Sequence, residues 1–173
     1  MDKPKIKNIE EGALYWAQVD PETQFPDGAI IAGYENENLY IIRAPHRHSL
    51  TPGKFVSSEG VGYIPWGGES QEKNAFEVLC GFDYIWLSSQ QGQIPVGAVI
   101  GGHSEGRDVE KLYIGRVKHK DHLIPGKVQP SHKVCYIPFE GAEVANEKYE
   151  ILVVPRKTHT VNKIMVPYID MSD

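Results

Sequence analysis

The core of this chain is written twice. Residues 28–79 and 97–152 carry the same elements in the same order. Gly28-Ala29 recurs as Gly97-Ala98, and Gly33 recurs as Gly102, at an offset of 69 residues. Leu39-Tyr40-Ile41 recurs as Leu112-Tyr113-Ile114, Arg43 as Arg116, and Pro52-Gly53-Lys54 as Pro125-Gly126-Lys127, now at an offset of 73. Tyr63-Ile64-Pro65 and Glu77 recur as Tyr136-Ile137-Pro138 and Glu150 at that same offset. The second copy therefore holds a four-residue insertion between Gly102 and Leu112. A shared period means a shared supersecondary unit. Two copies are too few for a solenoid, so the expectation is one closed domain with pseudo-twofold symmetry.

The repeats are β in character. Glycines (17) and prolines (12) break every long helical pattern. The apolar runs between them are short and rich in β-branched and aromatic residues. Strands are expected at 13–18, 28–33, 38–44, 53–57, 61–65, 75–80 and 83–88, then at 97–101, 111–117, 126–129, 134–138 and 149–154. A last strand, with an edge-type proline, is expected near 163–169. The one helix-compatible segment, 142–152, is assigned to strand because its counterpart contains Phe76-Glu77-Val78-Leu79. An all-β sandwich or barrel follows. It divides into an N-terminal strand region (1–27), repeat one (28–79), a connector with a strand (80–96), repeat two (97–152) and a C-terminal strand or tail (153–173).

A chain of 173 residues buries one core without staples. A net charge of -5 argues against a nucleic-acid binder, which needs a basic face. No apolar run approaches the roughly 18 residues of a membrane span. The segment 1–12 is polar and has no apolar signal-peptide core, so the cytosol is the expected compartment. Cys80 and Cys135 occupy non-equivalent repeat positions, and both are expected to be reduced thiols. No zinc spacing is present, and neither metal nor cofactor is expected.

Catalytic motifs are missing: no nucleophile elbow, zinc-protease helix, Walker loop or dinucleotide fingerprint occurs. The chain is not expected to be an enzyme. His46, His48 and His119 read as solvated loop residues. Gly67-Gly68 and Gly101-Gly102 read as turns or bulges needing positive φ. Arg43 and Arg116 lie in line with core residues, and Glu77 and Glu150 sit inside apolar runs. Each repeat is expected to pair its arginine with its glutamate, Arg43 with Glu77 and Arg116 with Glu150, as a structural ion pair. The P-G-K elements read as turns that deliver Lys54 and Lys127 to fixed places. The loop after Gly33 offers Glu35, and the longer loop after Gly102 offers Ser104, Glu105 and Asp108. A loop carboxylate meeting a turn lysine suits a neutral polyol: the carboxylate accepts from vicinal hydroxyls and the ammonium donates to their oxygens. Tyr34 or Trp66 would cover the sugar's C–H face.

At these elements the chain resembles the DM9 repeat family. The carriers are G-A-[IV]-I-x-G, L-Y-I-x-R, L-x-P-G-K, Y-I-P-[WF] and [FY]-E-[VI]-L, each present twice over 28–152, with Trp16 and Trp86 each preceding a copy. The resemblance implies an all-β unit of two intertwined repeats. It also implies relatedness to invertebrate mannose-binding lectins that act in immune recognition. In those members an acidic residue after the Gly-Gly turn and the P-G-K lysine hold mannose. Carried over, the first sugar site is Glu35, Lys54 and Tyr34. The second keeps Lys127 but reads Ser104 at the acidic position, with Glu105 or Asp108 offered instead.

Two functional readings follow. One is a non-catalytic mannose-type lectin for microbial or parasite glycans, reaching them by a non-classical release route. The other is an intracellular interaction or stress-response protein that keeps the fold without sugar binding. A homodimer is expected in either case, with the tail as one means of pairing.

Overall fold

A computed structural model of the chain describes residues 13–155 in full, and backbone alone at 6–8, 159–161 and 164–166. Of the strand expected near 163–169, residues 163 and 167–169 lie outside the described residues, as does most of the N-terminal segment 1–12. The strands are β1 (Ile6–Asn8), β2 (Ala13–Val19), β3 (Ile31–Tyr34), β4 (Asn38–His46), β5 (Ser49–Val56), β6 (Val61–Trp66), β7 (Glu69–Lys73), β8 (Phe76–Phe82) and β9 (Ile85–Gln90). Repeat two supplies β10 (Ile100–His103), β11 (Lys111–His119), β12 (His122–Gln129), β13 (Val134–Phe139), β14 (Ala142–Asn146) and β15 (Lys148–Val153). In the tail, β16 (His159–Val161) pairs with β17 (Ile164–Val166). Among the described residues the one helical piece is a 3-10 turn at Pro130–His132. The segment 142–152 is strand, split into β14 and β15.

Tight hairpins build this pattern. Arg47-His48 and Lys120-Asp121 have positive φ at both residues, as do Gly67-Gly68 and Glu140-Gly141. Two consecutive positive-φ residues match the right-handed twist of the flanking strands. The P-G-K elements are not turns. Pro52, Gly53 and Lys54 lie inside β5, opposite Arg43, Ile42 and Ile41 of β4. Pro125, Gly126 and Lys127 sit equivalently in β12 against β11. Each glycine is there for space: a Cβ on Gly53 would lie 2.0 Å from the Tyr63 carbonyl oxygen, and one on Gly126 would lie 2.0 Å from that of Tyr136. Each proline marks a change of partner. β5 pairs with β10 at Leu50 and with β6 from Lys54, so the residue without an N–H falls between two ladders.

The repeats are intertwined. The β3–β4 and β10–β11 ladders have the same register, with a bulge before Gly33 and before Gly102. β3 then crosses to repeat two, pairing Tyr34 with Leu123 of β12, and β10 crosses back, pairing His103 with Leu50 of β5. The succession β3–β4–β5–β10–β11–β12 thereby closes on itself. The hairpins β6–β7 and β13–β14 meet at Glu69 and Ala142 and close a second path. This all-β closed sheet removes most edges. β8 and β2 extend repeat one, and β15 and β9 extend repeat two.

The core follows the symmetry. One cluster belongs mainly to repeat one (Ala17, Ile42, Phe55, Ile64, Phe76 and Val78). A second belongs mainly to repeat two (Ile124, Val128, Cys135, Ile137 and Ile151). A third lies between them and contains equivalent pairs from both: Ile30 with Val99, Ile41 with Ile114, and Leu79 with Leu152. Fully buried aliphatics of this size stabilise by about 1.5–3 kcal/mol each. Neither repeat buries the third cluster alone. Cys80 and Cys135 are buried free thiols.

Candidate functional site

Lys54 begins the stretch of β5 that pairs with β6, facing Tyr63 in register. Its side chain is only 6% exposed, yet its ammonium lies 2.7 Å from Oε1 of Glu35, itself 19% exposed. A buried ammonium needs such a partner. It has three donors, and Glu35 takes one of them. The rings of Tyr63 and Phe139 stand 5.8 and 5.9 Å from the Nζ. The pair forms the floor of an open cavity of ≈ 470 Å³, walled by Asn36, Glu37, Tyr63 and, from repeat two, Glu140 and Gly141. Glu37 clamps the loop. It accepts the Ser58 N–H at 2.8 Å, and hydrogen bonds from Ser58 hold its carboxyl below the usual range. Tyr63 donates to Glu59, and burial, reinforced by that carboxylate, pushes the phenol pKa up.

Repeat two carries the counterpart, a cavity of ≈ 480 Å³ around Lys127, walled by Glu105, Asp108, Tyr136, Glu143 and, from repeat one, Trp66. Each pocket therefore takes a hairpin tip from the other repeat. Lys127 is 7% exposed and lies 3.1 Å from Oε2 of Glu143, which is 12% exposed. The approach is poorly angled, so that buried oxygen receives no directed hydrogen bond. The other oxygen, Oε1, accepts the Gly68 N–H at 3.1 Å. Ser104 is buried, and its hydroxyl accepts the Glu110 N–H at 2.9 Å. Glu110 in turn accepts the side-chain N–H of Gln129 at 2.9 Å, the Ser131 N–H at 3.1 Å and the Ser131 hydroxyl. Burial pushes the Glu110 carboxyl up, but these hydrogen bonds outweigh it and hold the pKa below its ordinary value.

The repeated arginines stand apart from both pockets. Arg43 and Glu77 are direct cross-strand neighbours, with Nε 3.2 Å from Oε1; Arg116 and Glu150 repeat the register and the distance. Each guanidinium also stacks 4.1 Å from a tryptophan ring, Arg43 on Trp16 and Arg116 on Trp86. Each reaches into the other repeat as well: Arg43 donates to the Gly101 carbonyl at 3.5 Å, and Arg116 to that of Ala32 at 3.1 Å.

The structure thus brings Glu35 and Lys54 together, and it sets Lys127, Ser104 and Asp108 around one cavity. Tyr34 is not at either site. It is 53% exposed and lines a separate groove of ≈ 330 Å³ with Lys118–Leu123. Tyr34 ends β3 and pairs with Leu123 of β12, which places its side chain in that groove beside repeat two. Trp66 lines the repeat-two cavity, not the Glu35–Lys54 one. His46 is not simply solvated. Its ring packs edge-on against Trp66, and its Nδ1 lies 2.9 Å from the Lys73 ammonium. His119 packs likewise on Phe139. Sequence reasoning passed over Glu37 and Glu110, although they recur at the offset of 73, and over the roles of Tyr63 and Tyr136. Glu143 carried no repeat signal, because its counterpart is Ser70.

Chemically, each pocket offers one ammonium and one carboxylate side by side, suited to adjacent hydroxyls. Burial pushes the Cys80 thiol up to about 11 and raises Cys135 as well, so neither is an active nucleophile. Among the described residues no group of three or more His, Cys, Asp or Glu side chains is placed to hold a metal ion. No helix among them is long and apolar enough to cross a membrane.

Comparison with known proteins agrees with this architecture. The chain is 23% identical over 153 residues to Natterin-1 of Thalassophryne nattereri, an alignment covering 84% of this chain and 39% of the relative. The chain thus spans well under half of that protein. Its fold is similar to that of the nematode sperm cell motility protein MFP2B, with a TM-score of 0.60 at 14% identity, over 84% of this chain and 48% of the other. The sequence pattern of the DM9 repeat matches residues 33–146, most of the two intertwined copies, and the chain belongs to the DM9 repeat family.

Proposed function

We propose that this protein is a non-catalytic carbohydrate-binding protein of the mannose type that recognises glycans on microbes or parasites. The observation that carries this reading is the Glu35–Lys54 pair. A nearly buried ammonium with unused donors is held 2.7 Å from a carboxylate at the floor of an open cavity. Vicinal hydroxyls of a hexose fit that pair: one donates to Glu35 while a neighbouring oxygen accepts from Lys54. With Tyr34 facing elsewhere, Tyr63 is the ring that would line the sugar. A few charge-assisted hydrogen bonds in competition with water support weak binding, with a Kd on the order of 0.1–1 mM. Recognition then rests on multivalency, from dense glycans or from a homodimer. Free buried thiols suit a reducing compartment, so cytosolic placement with non-classical release remains part of the proposal.

Titration with mannose, followed by calorimetry or by NMR, tests the reading. Wild type should saturate in the millimolar range, and chelators should leave binding intact. Lys54→Met and Glu35→Gln, checked by thermal melts, should each weaken it at least tenfold. A flat wild-type titration would discard the lectin reading in favour of an interaction protein that keeps only the fold.

A further inference from the structure

The two pockets differ by an exchange. Glu35 corresponds to Ser104: the Glu35 N–H bonds the Glu37 carbonyl at 2.9 Å, and the Ser104 N–H bonds the Glu110 carbonyl at 2.9 Å. Ser70 corresponds to Glu143: Ser70 lies opposite Pro65 and Glu143 opposite Pro138. The Ser70 N–H bonds the Gly141 carbonyl at 2.9 Å, and the Glu143 N–H bonds that of Gly68 at 3.0 Å. Repeat one thus has glutamate on the loop and serine on the strand. Repeat two has serine on the loop and glutamate on the strand. Each cavity keeps one nearly buried lysine with one carboxylate beside it, and a serine at the exchanged position.

We propose that Glu143 is the ligand-binding carboxylate of the repeat-two pocket, taking from β14 the role that Glu35 takes from the β3–β4 loop. One chain then carries two sites for the same class of vicinal hydroxyls, approached from different sides of the lysine. This rests on the sugar-binding reading above. Glu143 stands beside Lys127 as Glu35 stands beside Lys54: its Oε2 lies 3.1 Å from the ammonium, and its Oε1 accepts the Gly68 N–H. Oε2 is buried beside that ammonium and receives no directed hydrogen bond, so its lone pairs are not fully used. Ser104 supplies no charge, and its hydroxyl already accepts the Glu110 N–H. The cavity is as large as its counterpart, ≈ 480 against ≈ 470 Å³. Its wall also supplies an aromatic ring, that of Trp66, whose indole N–H reaches Glu105 at 3.4 Å.

The same wall provides a reporter. In ¹H–¹⁵N spectra of the full chain titrated with mannose, the Trp66 indole resonance reads the repeat-two pocket and the Asn36 side-chain amide reads repeat one. Both should shift in wild type. Glu143→Gln preserves volume and an acceptor for Gly68; it should weaken the Trp66 response about ten- to a hundredfold while leaving that of Asn36. Glu35→Gln should do the reverse. The double exchange Ser104→Glu with Glu143→Ser rebuilds the repeat-one arrangement, counter-ion included, and should restore the Trp66 response. A Trp66 resonance that stays still in wild type while Asn36 responds would overturn the proposal and leave the first site intact. An undiminished Trp66 response in Glu143→Gln would also overturn it. If neither reporter moves, the sugar-binding reading itself fails, and this proposal fails with it.

Discussion

The Arg–Glu–Trp clusters and the lysine pockets are both duplicated, but they are duplicated differently. Arg43, Glu77 and Trp16 match Arg116, Glu150 and Trp86 position by position, down to the 3.2 Å ion pair and the 4.1 Å ring contact. In the pockets the lysine stays and the carboxylate moves. The clusters tie three strands and both repeats together at fixed register, so no residue can shift without losing several partners. A pocket carboxylate has to reach only one ammonium across an open cavity, and more than one backbone position can supply it.

If that contrast holds, the clusters answer to stability and the pockets to binding. Arg43→Met should have the largest effect. It removes the ion pair from Glu77 (13% exposed) and should cost about 3–5 kcal/mol by urea denaturation. Arg116→Met should cost less, because Glu150 is 32% exposed and keeps more water. Equal losses would show that the two clusters are energetically equivalent despite that difference. Gly53→Ala forces a methyl against the Tyr63 carbonyl and should destabilise by the upper end of about 1–3 kcal/mol, or prevent folding. Gly126→Ala should match it.

The pocket substitutions sharpen the other half. Lys54→Met should reduce mannose affinity by at least tenfold, with a smaller loss of stability than Arg43→Met. A variant that unfolds instead would place the pocket among the stability elements. The smallest effect concerns pH. Folding holds the Glu110 carboxyl below its ordinary 4.5. Its stabilisation is therefore complete above that value and is lost as pH falls through the lower folded-state pKa. Glu110→Gln should cost at most about 1 kcal/mol at neutral pH and nothing below the folded-state pKa, read from paired melts across that range.

The sequence by itself determined the duplication, the all-β class and the Arg–Glu partners. Each rests on a local or periodic signal: short β-branched runs, punctuating Gly and Pro, and identical residues at a constant offset. It also marked Lys54 and Glu35 as candidates to meet. Only the tertiary structure decided that Pro52-Gly53 and Pro125-Gly126 lie inside strands. A Pro-Gly pair carries a turn signal locally, and only the neighbouring Tyr63 and Tyr136 carbonyls show that the glycine is required by close approach. The same holds for Tyr34, whose side follows from which strand crosses to which repeat. It holds most of all for Glu143, which no internal repeat marks. Its meeting with Lys127 depends on β12, β13 and β14 lying side by side, and residue spacing along one chain does not encode which side of a cavity a carboxylate enters.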